Sequence, residues 1–245
     1  MQDITFVIQG PANNISISNL PNLLKFGKVI ISCYDTDNLE KYDIPSEVKI
    51  IRNSFPTGHL FLDPVINRQN AFLHAYTTFS GLNSVDTEFA IKVRADDYFE
   101  DFSFFIEKMK EFPQKYTTIN FLIRKDSVIK FHPCDHLFGA NTKLLKDAFH
   151  ILYYKNLVHH IHLSMEPKIF LSFLEAKSLE IQWENSKQLM KENCQIVNLR
   201  KMGEFTLSVN SGKDYKDPVK FDSSQIDFIE SGPEKDINAN TIEEL

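Results

Sequence analysis

The sequence predicts an α/β fold in which a mostly parallel central sheet is flanked by helices. Three observations carry that expectation: continuous apolar runs of strand length, helical apolar spacing between them, and Gly or Pro at the exits of the runs. Residues 4–9 (Ile-Thr-Phe-Val-Ile-Gln) are the first run, and Gly10-Pro11 ends it in a sharp loop. Residues 20–26 read as a helix, 29–33 as a second buried strand and 48–51 as a shorter third. Such alternation favours parallel strands joined by right-handed crossovers.

Between Val65 and Gly81, apolar residues recur at helical spacing (Ala71, Phe72, Ala75, Tyr76, Phe79), with Gly81 as the stop. A strand over 88–93, a helix over 102–112 ended by Pro113, and a strand over 117–123 follow. His132 to Gly139 reads as a loop and a short strand, after which Asn141 or Thr142 can cap a helix through Phe149. Glu166 opens a further helix with Ile169, Phe170, Phe173 and Leu174 on one face. From about Val209 the periodicity is lost and Ser, Asp, Lys, Pro and Gly gather. Residues 1–208 are therefore expected to form one domain, and 209–245 a polar tail that is partly ordered at most.

A chain of 245 residues with 42% hydrophobic content can bury a full core. Its net charge of −6 argues against non-specific nucleic-acid binding, which needs a basic face to displace counterions. No basic leader with a long hydrophobic stretch opens the sequence, and no apolar run approaches the about 20 residues that span a bilayer. The expected location is cytoplasmic, with peripheral membrane contact left open. Cys33, Cys134 and Cys194 are scattered and form no Cys-x-x-Cys pair, so reduced thiols are expected.

The segment 88–99 (Glu-Phe-Ala-Ile-Lys-Val-Arg-Ala-Asp-Asp-Tyr-Phe) carries most of the chemistry. A strand runs straight into Asp96 and Asp97, and α/β folds bind ligands at the carboxyl ends of their strands. Two adjacent carboxylates there suit Mg²⁺ or Mn²⁺ carrying a diphosphate, which points to a nucleotide-sugar; the same dipeptide also serves as a helix cap or a solvated turn. Lys92 and Arg94 leave one face of the strand, either to reach a diphosphate or to pair with acids within the sheet. Gln9, Gly10 and Pro11 close the first strand where a nucleotide would lie, and Gly permits close backbone approach. Arg68, in Asn67-Arg68-Gln69, opens the long helix before the acidic strand, a place suited to an anion or simply to solvent. Asp135 and Glu166 are the candidate general bases, each of which can equally act as a helix-terminal acid. His159, His160 and His162 are too close in sequence to converge easily on one ion. Neither a Gly-x-Gly-x-x-Gly fingerprint nor a Gly-x-x-x-x-Gly-Lys loop is present, which weakens dehydrogenase and kinase readings.

Taken in order, Phe-Val-Ile-Gln-Gly-Pro at 6–11, Ile-Ile-Ser at 30–32, Ile-Asn-Arg-Gln at 66–69, Lys-Val-Arg-Ala-Asp at 92–96, His-Pro-Cys-Asp-His-Leu-Phe-Gly at 132–139 and Met-Glu-Pro at 165–167 resemble the WavE family of lipopolysaccharide-synthesis proteins. The likeness spans roughly the first 180 residues. The resemblance implies a glycosyltransferase domain of the GT-A fold, with Gln9, Gly10 and Ser32 near the nucleotide, Arg68 near the donor, Asp96 at a metal and Glu166 as base. Two departures stand out: Arg94 occupies the place of the first acid of an Asp-x-Asp motif, and Pro167 stands where distant relatives often carry a second acid. The function so implied is metal-assisted, inverting sugar transfer from a nucleotide-sugar to a glycan or glycolipid acceptor. A non-catalytic nucleotide- or carbohydrate-binding domain is the alternative. A nucleotidyltransferase would want a Gly-rich basic loop after the first strand, where Asn13, Asn14 and Ile15 lie instead.

Overall fold

The computed structural model describes residues 3–55, 71–209, 219–225 and 243–244. Its centre is a seven-stranded sheet built from β1 (Ile4–Gln9), β2 (Lys28–Tyr34), β3 (Lys49–Asn53), β4 (Phe89–Arg94), β6 (Tyr116–Ile119), β7 (Leu137–Asn141) and β8 (Cys194–Val197). The strand order is β3-β2-β1-β4-β7-β6-β8. Every pairing is parallel except those of β7 with β4 and with β6. The expected mostly parallel α/β sheet is therefore present.

The helices are α1 (Asn14–Phe26), α2 (Ala71–Asn83), α3 (Ser103–Glu111), α4 (Thr142–Ile151), α5 (Met165–Ala176) and α6 (Ser186–Asn193). Helix α4 continues through a π-helical turn, Leu152–Asn156. Phe6 and Val7 point to opposite faces of β1, as strand neighbours must. Phe6 packs edge-on against Phe102 at the start of α3, whereas Val7 lies beneath Gly81 of α2. Helices therefore cover both faces, and a core of Phe, Ile, Leu and Val fills both layers.

Several element boundaries differ from the sequence expectations for local reasons. Helix α1 begins at Asn14 rather than at residue 20, because Asn13 accepts from the N–H groups of Ile15 and Ser16 while Ser16 Oγ accepts from the Asn13 N–H. Gly81 does not stop α2, which runs on to Asn83. A Cβ at Gly81 would sit 2.5 Å from Val7 Cγ1, so the glycine lets the helix approach the sheet. Strand β6 ends at Ile119, and Leu122 adopts a left-handed φ of 52°, which an extended strand cannot accommodate. Asn141 does cap α4, accepting from Lys143 and Leu144.

A second sheet, order β10-β9-β5, joins β5 (Tyr98–Phe99), β9 (Phe205–Val209) and β10 (Val219–Asp222). The expected domain limit at 208/209 thus falls inside β9, and residues 219–222 pair back onto the body. The alternation Phe-Thr-Leu-Ser-Val carries a strand pattern that composition had masked. All three cysteines are buried and unbridged. No helix among the described residues is long and apolar enough to cross a membrane.

Candidate functional site

Strands β2 and β3 lie on one side of β1 and β4 lies on the other, so the chain reverses its direction of winding between β1 and β4. The crevice of an open α/β sheet forms at that point, at the carboxyl ends of the strands. Gln9 and Arg94 sit side by side there, in register across the β1/β4 pair. Gly10 takes a φ of 112°, which a side chain would strain, while Pro11 is exposed. The Ala95 N–H donates to Gln9 O at 2.9 Å and fastens the two loops together.

The acidic turn after β4 is built differently from the expected pair of metal ligands. Arg94 grips Asp96 with a two-pronged fork, Nε to Oδ1 at 2.9 Å and Nη2 to Oδ2 at 2.7 Å. Burial works against both charges, yet the fork holds the Asp96 carboxyl below its ordinary range and the guanidinium above its own. Asp97 is buried, with Oδ2 2.9 Å from His136 Nδ1 and Oδ1 accepting the Ser208 N–H at 3.1 Å. Ser208, at the end of β9, also donates its hydroxyl to Asp96 O. Asp97, expected as a metal ligand, ties the acidic turn to the second sheet through Ser208.

Lys92, expected either at the diphosphate or paired within the sheet, lies in the interior. Its side chain has no exposed surface, donates to Asp135 O at 2.5 Å and lies over the Phe138 ring. Burial pushes its ammonium down to about 8, against the pull of Asp135. The Asp135 carboxyl feels burial most, but the charge of Lys92, with that of Arg94, outweighs it and holds the acid well below the usual carboxylate range. Asp135 Oδ2 faces His74 Nδ1 at 3.4 Å. Burial and the nearby Lys92 keep the His74 ring neutral.

Glu166 lies in the first turn of α5, where Pro167 is tolerated because a first-turn N–H has no helical partner. Its Oε2 lies 3.7 Å from His132 Nε2 and has no hydrogen-bond partner. One loop, 132–136, thereby carries His132 against Glu166, Asp135 against His74 and Lys92, and His136 against Asp97. The two candidate bases are brought to the same loop. Ser32, expected near the nucleotide, is fully buried, donates to Thr77 O at 2.6 Å and accepts from Asn53 Nδ2. Arg68 lies outside the described residues.

Sequence reasoning missed His74 and Ser208 altogether and offered His132 and His136 only as residues either of which could complete a site. His74 stands in an unremarkable apolar helix, and Ser208 reaches the site only through the pairing of β9 with β5.

The donor set does not fit the Mn²⁺ or Mg²⁺ site expected from Asp96 and Asp97. Asp97 has both oxygens engaged inside the protein, and both oxygens of Asp96 face the Arg94 fork. Among the described residues no group of three His, Cys, Asp or Glu side chains is arranged to hold a metal ion, the 159–162 histidines included.

Two solved structures bear a distant likeness to the chain. A candidate glucose-1-phosphate thymidylyltransferase from Bacillus anthracis, in complex with a sucrose, is 8% identical with a TM-score of 0.46 over 79% of this chain and 85% of that one. HddC from Yersinia pseudotuberculosis is 12% identical with a TM-score of 0.37 over 59% of this chain and 79% of that one. No curated protein matches the sequence. The family model described as WavE lipopolysaccharide synthesis matches residues 4–153, and this chain belongs to that family.

Proposed function

We propose that the protein is a glycosyltransferase of GT-A-like architecture that moves a sugar from a nucleotide-sugar to a hydroxyl of a glycan or lipopolysaccharide-type acceptor. Membership of a lipopolysaccharide-synthesis family supports the acceptor class. The observation that carries the reaction is Glu166: a carboxylate oxygen, buried and without a hydrogen-bond partner, 3.7 Å from His132 Nε2 and served by the same loop as Asp135. A general base must be able to reach the proton it takes, and an oxygen already committed elsewhere cannot.

In this reading the acceptor hydroxyl oxygen attacks the anomeric carbon, its proton passes to Glu166, and the bond from that carbon to the diphosphate oxygen breaks with inversion. Gln9, Gly10 and Pro11 border the nucleotide, and Arg94, fixed in direction by Asp96 and with Nη1 3.4 Å from His136 Nε2, turns its guanidinium to the diphosphate. His132 Nε2 lies 3.7 Å from the same Glu166 oxygen. No step is routed through a divalent ion, because the carboxylates are already engaged. The protein is expected to work in the cytoplasm at the membrane surface where glycolipid acceptors lie.

The test is a thermal-shift and hydrolysis screen of nucleotide-sugars with Mn²⁺, Mg²⁺ or EDTA, run beside Glu166→Gln. One donor should stabilise both proteins, and the variant should turn it over about 10² to 10⁴-fold more slowly. Equal turnover by the variant would remove Glu166 from the reaction. The engaged state of Asp96 and Asp97 favours a second reading, a binding domain without catalysis. Binding of a donor with no acceptor-free hydrolysis by the wild type would favour that reading.

A further inference from the structure

We propose that His74 reads a hydroxyl group of the sugar carried by the nucleotide, with Asp135 as the positioning residue that sets its tautomer; this rests on the donor-site reading above. The geometry behind it is a chain of three groups. Lys92 is buried against the Asp135 main chain, Asp135 Oδ2 faces His74 Nδ1, and His74 Nε2 is buried with no hydrogen-bond partner.

A carboxylate beside Nδ1 favours the tautomer with the proton on that nitrogen, which leaves Nε2 as a bare lone pair. A buried acceptor left unpaired is costly, and what relieves it is a donor from outside the protein. Phosphate oxygens at neutral pH offer acceptors, so the diphosphate is the wrong partner. The adjacent Asp135 carboxylate adds repulsion against it. A sugar hydroxyl supplies the O–H the lone pair lacks.

The placement agrees with this. His74 lies early in α2, the helix covering the face from which Lys92 and Arg94 project, because Val7 packs under α2 and is in register with Lys92 on β4. The sugar of a donor whose diphosphate meets Arg94 comes within reach of that helix. Asp135 was expected to be an alternative base. With its main-chain oxygen held by Lys92 and its carboxylate facing His74, it is a fixed anion that orients its neighbour.

The experiment measures binding of one nucleotide-sugar and of the matching bare nucleoside diphosphate by calorimetry. It uses the full chain and the variants His74→Phe, His74→Gln and Asp135→Asn, each checked for folding by circular dichroism. His74→Phe should bind the nucleotide-sugar about tenfold more weakly with the bare diphosphate unchanged, the loss of about one hydrogen bond. His74→Gln places an amide oxygen near the same point and should recover most of the difference. Asp135→Asn invites the proton onto Nε2 and should mimic the Phe variant for the sugar ligand alone. An equal loss on both ligands, or none on either, would overturn the proposal. A wild-type protein that binds the diphosphate but gains nothing from the sugar would overturn it and leave the nucleotide site standing. A wild-type protein that binds neither ligand would overturn the donor-site reading and the proposal together.

Discussion

Replacing Lys92 by methionine tests the electrostatics of the site without needing its ligand. The side chain is fully buried on β4, faced by Asp135, Arg94, Asp97 and Cys134, and its ammonium is pushed down to about 8 from an ordinary 10.5. The unfolded chain therefore binds this proton more tightly than the folded one. Stability carried by Lys92 is lowest below about pH 8 and rises as the pH climbs towards 10.5. The whole span is worth about 3 kcal/mol, of which about 2 to 3 kcal/mol is recovered between about pH 7 and pH 10.

Methionine keeps the stem volume and has no proton to exchange. In urea titrations at half-unit steps over that range, the wild type should gain about 2 to 3 kcal/mol relative to Lys92→Met as the pH rises. Taking the difference between the two proteins cancels the buried cysteines and tyrosines, which titrate in both. A gap that stays constant within about 0.5 kcal/mol would refute the reasoning, because it would mean the ammonium is solvated and not held inside the sheet.

Two further outcomes follow from packing and from the acidic turn. Gly81→Ala places a methyl against Val7 and Ser32, and should lower stability by about 1 to 3 kcal/mol in urea unfolding, whereas a neutral result would show that α2 can lift from the sheet at no cost. With the Arg94 fork occupying Asp96, Mn²⁺ at about 1 mM and without nucleotide should leave Tm unchanged. A rise in Tm that Asp96→Asn abolishes would show that the fork yields to the ion.

The carboxyl ends of β1 and β4 were legible in the sequence, because an apolar run followed by Gly10-Pro11 or by Asp96-Asp97 marks a strand and its end by local composition. Glu166 at the head of a helix was legible for the same reason: caps and first turns are decided within a few residues. The family motifs, too, are linear and ordered; the family match over residues 4–153 contains those up to 132–139, whereas Met165-Glu166-Pro167 lies beyond it.

What the sequence could not determine is which polar groups face one another. Asp96 and Asp97 are neighbours in the chain, yet one meets a guanidinium two residues back and the other is closed in by His136 and by Ser208. Lys92 and Ser32 have the composition of ligand contacts, but strand register turns both under α2 and into the interior. His74 meets Asp135 only when helix α2, packed over β1 and β2, comes up to the loop that carries that acid. Local sequence decides elements and their ends through short-range sterics and capping. Only the packed sheet, by bringing charges from distant segments into a medium that screens them poorly, decides which of them are left free to meet a ligand.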